Sequence, residues 1–315
     1  MVNLWKQAGI TLLILSAAGC FAADKEHATV IREATLYVSP GANSTTIAQA
    51  ERGSGMVVLE RTDADNQPWL KVFVTLEPAQ QTREVTGWLP GKAVITTSTP
   101  NGDQVVYGQA VDSEHQAEER GGRKGAAQDA LRLYSRMAEL FPGSSLAPES
   151  AWRAADIRWQ LARNDFGKPL ETRFATAEKY IQDVIAKFPQ SRQADLAAYD
   201  LLETKLCPDW NGLTDCPLKE SAIYEQYARE HPQSTKAPES LFKAAWRQAA
   251  VTDIYRINNN LDKSEAARRK ATALAQEIAT KYPDADWKPR ASDLIYKLDQ
   301  RIPVFSAAVD AGETK

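Results

Sequence analysis

Residues able to do covalent or acid-base work are few in this chain of 315 residues, and they stand far apart. His27, His115 and His231 are the whole histidine complement, and none has a glutamate or cysteine at a triad or metal-ligand spacing. Of the cysteines Cys20, Cys207 and Cys216, the last two bracket a short polar loop. An even pair of that kind suits a disulfide in an oxidising compartment. On the chain-entropy argument, closing so short a loop stabilises by about 2–3 kcal/mol. A zinc site would need a histidine or a third cysteine nearby, and there is none. Asp209, Asn211 and Asp215 share the loop, but it lacks the glutamate that closes a calcium-binding EF-hand. The expectation is a chain without catalytic residues, resident metal or cofactor, and so not an enzyme.

Charge narrows the partners. A formal net charge of -3 gives no field strong enough to hold nucleic acid by counterion release. At the N-terminus, Lys6 precedes an apolar run from Ala8 to Gly19, too short to span a bilayer and ending in small residues. Residues 1–22 read as a secretory signal peptide. Ser16-Ala17-Ala18-Gly19-Cys20 resembles the lipobox of bacterial lipoproteins, although Ala17 stands where that family usually has leucine. The resemblance implies an acylated Cys20, hence an exported chain held on a membrane by its lipid; the alternative is ordinary cleavage after Ala22.

From 28 to 98 the apolar residues recur with a period of two in short runs between turn formers, the pattern of a small barrel or sandwich. Leu36-Tyr37-Val38-Ser39-Pro40, Arg52-Gly53-Ser54-Gly55, Trp69-Leu70-Lys71-Val72 and Gly87-Trp88-Leu89 follow one another as in bacterial SH3 (SH3b) domains, which this segment resembles. A polar insertion at 76–85 departs from that family. Alternation sends Leu36, Val38, Leu70, Val72 and Val74 inward and leaves Tyr37, Trp69 and Trp88 for an exposed aromatic groove. The resemblance implies binding of cell-wall peptide or protein; the alternatives are rings that merely seal the barrel, or a barrel that caps the next domain.

Residues 99–124 read as a linker, with at most a short helix from Asp112 to Arg120. Beyond it Phe141-Pro142-Gly143-Ser144, Phe188-Pro189-Gln190-Ser191, His231-Pro232-Gln233-Ser234 and Tyr282-Pro283-Asp284-Ala285 repeat one step four times. Counting back from each proline, columns at one, five, eight and twelve residues fall on one helical stripe. Tyr134 and Met137, Ile181 and Val184, Tyr224 and Tyr227, and Ala275 and Ile278 stand in two of them. Each proline ends one helix, and Pro148, Pro238 and Pro289 open the next. The spacing predicts eight helices over about 125–301, followed by a tail at 302–315. With its F-P-x-S-x-x-A-P-E step the stretch resembles tetratricopeptide repeats, in the version found in periplasmic outer-membrane-assembly lipoproteins. That resemblance implies a superhelix with a concave binding face, for which Arg158, Trp159, Trp246 and Arg247 are candidates beside the alternative of helix packing. The expected whole is two domains, a small all-β SH3-like barrel and an all-α tetratricopeptide-like array. The expected role is a non-catalytic envelope scaffold or adaptor for protein, peptide or peptidoglycan, with peptidoglycan remodelling targeted by the barrel as the alternative.

Overall fold

A computed structural model describes residues 25–76, 83–164, 167 and 170–305. The signal peptide, Cys20, most of the polar insertion and 306–315 lie outside the described residues.

The N-terminal part is a curled antiparallel sheet of seven strands: β1 (His27–Val30), β2 (Ala34–Tyr37), β3 (Thr46–Ala50), β4 (Gly55–Ala64), β5 (Gln67–Leu76), β6 (Arg83–Pro90) and β7 (Val94–Thr96). The order is β3-β2-β6-β5-β4-β1-β7. Asp65 and Asn66, both at positive φ, make the two-residue turn of the β4–β5 hairpin, which sets Ala64 opposite Gln67. Leu36, Leu70, Val72, Val74 and Leu89 fill the core, as period-two alternation requires. Two expected positions change. Val38 is 62% exposed, because β2 ends at Tyr37 and the β2–β3 register shifts between Leu36 and Tyr37. Trp69 is only 1% exposed. Its indole N–H donates to the Ala64 carbonyl at 3.1 Å, and the Tyr37 ring meets it edge-on at 5.5 Å. Trp69 is thus a plug of the hairpin end, and the expected groove is filled by its own chain.

The described residues after the sheet hold nine α-helices: α1 (Gly102–Glu118), α2 (Ala126–Leu140), α3 (Ala147–Arg163), α4 (Leu170–Lys187), α5 (Arg192–Asp200), α6 (Asp215–Glu230), α7 (Ala237–Ile257), α8 (Leu261–Lys281) and α9 (Lys288–Asp299). The repeat is visible in the backbone itself. Ser144 N–H donates to the Phe141 carbonyl and Ala147 N–H to the Ser144 carbonyl; the same two bonds recur at 188/191/194, 231/234/237 and 282/285/288. Serine suits the step because its hydroxyl accepts a following N–H, from Leu146, Ala194 or Lys236. The predicted stripe is buried throughout: Tyr134, Met137, Ile181, Val184, Tyr224, Tyr227, Ala275 and Ile278 are each at most 4% exposed.

The linker expected at 99–124 is corrected: most of it is α1, which packs along α2 and buries Val106, Ala110 and Ser113. It escaped the periodicity argument because a helix built of glycine, glutamine and acidic residues buries so few apolar side chains. Through α1 and α2 the sheet and the array share a core. Ile31 and Ile95 from the sheet pack with Val106, Ala110, Leu133 and Tyr134. The β3–β4 turn presses directly on α2. Arg132 Nε donates to the Arg52 carbonyl at 2.9 Å, and its Nη1 pairs with Glu51 at 2.9 Å. Gly53 is at φ +78, and a Cβ there would stand 2.6 Å from Arg132 Cβ and 2.9 Å from the Leu133 backbone nitrogen. Both the left-handed conformation and the approach need glycine. Gly53→Ala is expected to cost at least about 1–2 kcal/mol from conformation alone. Thermal melting checks this, and limited proteolysis should show faster cutting between residues 97 and 125 as the contact loosens.

Candidate functional site

Where the β3–β4 turn leans on α2, a cleft of about 1080 Å³ opens between the sheet and helices α2, α3 and α4. That is at the upper end of the roughly 300–1,000 Å³ typical of small-molecule pockets. Its walls owe their width to small residues: Gly53, Ser54 and Gly55 on the turn, Ser135 and Ala138 on α2, Ala151, Ala154 and Ala155 on α3. Gly55 leaves room for the Arg136 guanidinium, which a Cβ would strike at 2.4 Å. Among the described residues five basic side chains, Arg83, Arg132, Arg136, Arg158 and Lys187, line the cleft against three acidic ones, Glu51, Glu139 and Asp183. Arg136 pairs with Glu139, and Arg132 with Glu51 and Asp129. The Arg158 guanidinium carbon lies 3.5 Å from the centre of the Tyr180 ring, a cation-π contact with α4.

Of the sequence candidates, Arg158 alone lines this cleft. Trp159, one residue on, is 4% exposed and donates its indole N–H toward Glu203 at 3.3 Å, so it packs between helices. Tyr37 and Trp69 pack on each other, and Trp88 lies beneath the Lys71 ammonium at 5.8 Å.

Trp246 and Arg247 belong to a second constellation around the cysteine loop. Cys207 and Cys216 form the disulfide, with Cα atoms 6.0 Å apart. Inside the loop, the Trp210 ring packs against Trp246 at 5.6 Å and against Phe305 at 5.5 Å. Glu220, 2% exposed, organises all of it: one carboxylate oxygen accepts the Cys207 N–H at 3.0 Å and the Trp210 indole N–H at 3.2 Å, and the other accepts Arg247 Nε at 2.6 Å. The carboxylate is consumed by protein donors, so the site holds a loop in place and has no open position for chemistry. Among the described residues no group of three or more histidine, cysteine, aspartate or glutamate side chains is placed to hold a metal ion, Asp209 and Asp215 included.

No protein-family model matches this chain, and neither does any curated protein. Solved structures similar to this chain include a filament and a designed helical repeat protein. The DHF58 filament is 18% identical, with 63% of this chain and 91% of that chain covered, at a TM-score of 0.23. The de novo designed helical repeat protein DHR64 is 16% identical, with 64% and 94% covered, at 0.22. Superpositions so loose assign neither a curvature nor a function.

Ionisation in the array is governed by burial. Burial pushes Asp200 up to about 6, against the indole N–H of Trp152 at 3.0 Å and the Lys236 charge, with Asp156 and Glu203 adding to the upward push. Glu239 goes the other way: burial opposes its ionisation, but hydrogen bonds from Lys236, Lys243 and Tyr199 outweigh it and hold the carboxyl at about 2. An acid whose pKa is raised on folding binds its proton more tightly in the fold, so Asp200 favours the fold at low pH, and that contribution fades as pH rises from about 4 through 6. Asp200→Asn is therefore expected to stabilise the protein at pH 7 by about 1–3 kcal/mol and leave it unchanged near pH 4. Denaturant melts at the two pH values check this. Glu239 contributes oppositely, its stabilisation being lost only as pH falls from about 4.5 toward 2.

Proposed function

We propose that this chain is a non-catalytic adaptor of the bacterial cell envelope, which grips a protein or peptide partner in the cleft between an SH3-like barrel and a tetratricopeptide-like array. The observation that carries the proposal is the cleft itself. It is wide, lined by small residues and framed by two units that share a core, which is what a chain that offers surfaces needs. The carboxylates with a raised or lowered pKa sit in packed helix contacts and in ion pairs, where they serve the fold.

Export and a lipid at Cys20 complete the reading, because an envelope adaptor is useful when fixed to one surface. No helix among the described residues is long and apolar enough to cross a membrane. A mass spectrum of the mature N-terminus tests the anchor: a chain beginning at acylated Cys20 supports it, and one beginning at Ala23 removes it. A pull-down from envelope extract with the intact chain tests the adaptor role. Stoichiometric recovery of a partner at moderate salt is expected, and recovery of none contradicts it.

A further inference from the structure

We infer that the cleft between the β3–β4 turn and helices α2 to α4 holds an extended, acidic segment of a partner protein. The inference deepens the adaptor reading and rests on it, adding the chemistry of the bound segment and the residues that select it.

Sign comes first. The chain as a whole is acidic, with a formal net charge of -3, yet the described lining of this cleft carries five basic side chains against three acidic ones. An excess of basic over acidic side chains in the described lining favours an anionic segment over a cationic one. The cations are also spread to suit a strand of carboxylates more than one point charge. Arg83 stands on the sheet side, Arg136 on α2, Arg158 on α3 and Lys187 at the end of α4. Arg136 is paired with Glu139, and Arg158 is held over Tyr180, so both side chains are positioned before any ligand arrives. Exposed Lys187 has no ion pair among the described residues.

Shape supplies the second argument. A cleft of about 1080 Å³ exceeds what most small molecules fill, and the small side chains of Ser135, Ala138 and Ala151 in its wall let a backbone come close. Gln49, near the end of edge strand β3, and Gln128 on α2 add amide groups able to bond a peptide main chain. Leu76, Leu131 and Phe188 provide apolar wall beside the charges, so alternate side chains of an extended segment would meet basic groups and apolar surface.

Fluorescence anisotropy with fluorescein-labelled decaglutamate tests this on the intact chain, beside decalysine and a Gly-Ser decapeptide of the same length. Decaglutamate is expected to bind saturably and the other two not at all, with affinity falling as salt rises. Lys187→Glu, on an exposed position, is expected to weaken binding at least about tenfold and Lys187→Gln by less, while Lys219→Glu, exposed on α6 away from the cleft, leaves it unchanged. Absence of saturable decaglutamate binding, equal binding of decalysine, or an unaltered affinity in Lys187→Glu overturns the assignment. The adaptor reading fails separately: if Lys187→Glu still retains a partner that the unaltered chain pulls from extract, the acidic-segment assignment falls while an adaptor that grips through other contacts stands, and if the unaltered chain pulls down nothing, the adaptor itself falls.

Discussion

Replacing Glu220 by alanine is expected to lower stability by about 3–5 kcal/mol, because three donors lose one buried acceptor together. The Cys207 N–H and the Trp210 indole would be left unpaired, and the Arg247 guanidinium, 15% exposed, would be stranded beside the Tyr224 ring. Glu220→Gln keeps the volume and an acceptor but not the charge, and is expected to fall between alanine and the native residue. Urea melts of the three proteins measure the series. Intrinsic tryptophan fluorescence reports the local event, since Trp210 is sandwiched between Trp246 and Phe305 only while the loop is held. A loss below about 1 kcal/mol in the alanine variant would show that the disulfide alone positions the loop.

Trp69→Ala is the second large effect, expected at about 3–5 kcal/mol, the usual cost of deleting a fully buried aromatic ring. The distinction from a binding role is sharp. A tryptophan in an open ligand groove can be removed with little change in stability, whereas one that is 1% exposed, bonded to the Ala64 carbonyl and covered by Tyr37 cannot. Thermal unfolding of the variant should show the early melting of the sheet. Decaglutamate affinity, measured below that transition, should stay close to native, because Trp69 does not line the cleft.

Sequence pattern was sufficient wherever one residue type repeats in one structural role. The aromatic-proline step survives because the proline breaks the ladder, the serine of three of the four copies accepts an N–H at the turn into the next helix, and the columns behind it bury against neighbours. Helices α2 to α9 fill the stretch in which the proline step predicts eight helices, and α5 stops at Asp200, where a short 3-10 turn at Glu203–Lys205 leads into the disulfide loop. Helix α1 lacked such a signature. Glu220 did carry one: it stands in the column that holds Ala130, Ala177 and Ala271, and an acid among buried alanines marks a carboxylate with a private set of donors.

Of the cleft, only Arg158 was legible. Its other walls come from a turn near residue 53, a helix near 132 and another near 184, and no local pattern announces that these meet. Gly53 was visible as part of a barrel signature, but its second role, letting the turn reach the backbone of α2, exists only once the two units are docked. The aromatic groove failed for a related reason: strand alternation tells which face a ring takes, and Trp69 is buried on the outer face because Tyr37 and a hairpin carbonyl close over it.

The proposed binding in the cleft depends on sheet and array forming one body. Ile95 Cγ2 on β7 and Phe141 Cζ at the end of α2 both crowd Gly102, lying 3.0 and 2.7 Å from where a Cβ on that glycine would be. A methyl-selective NOE spectrum of the full chain measures this directly. A strong cross-peak between the Ile95 γ2 methyl and the Phe141 ring protons is predicted, whereas a missing cross-peak together with separate tumbling of the two halves would contradict the account.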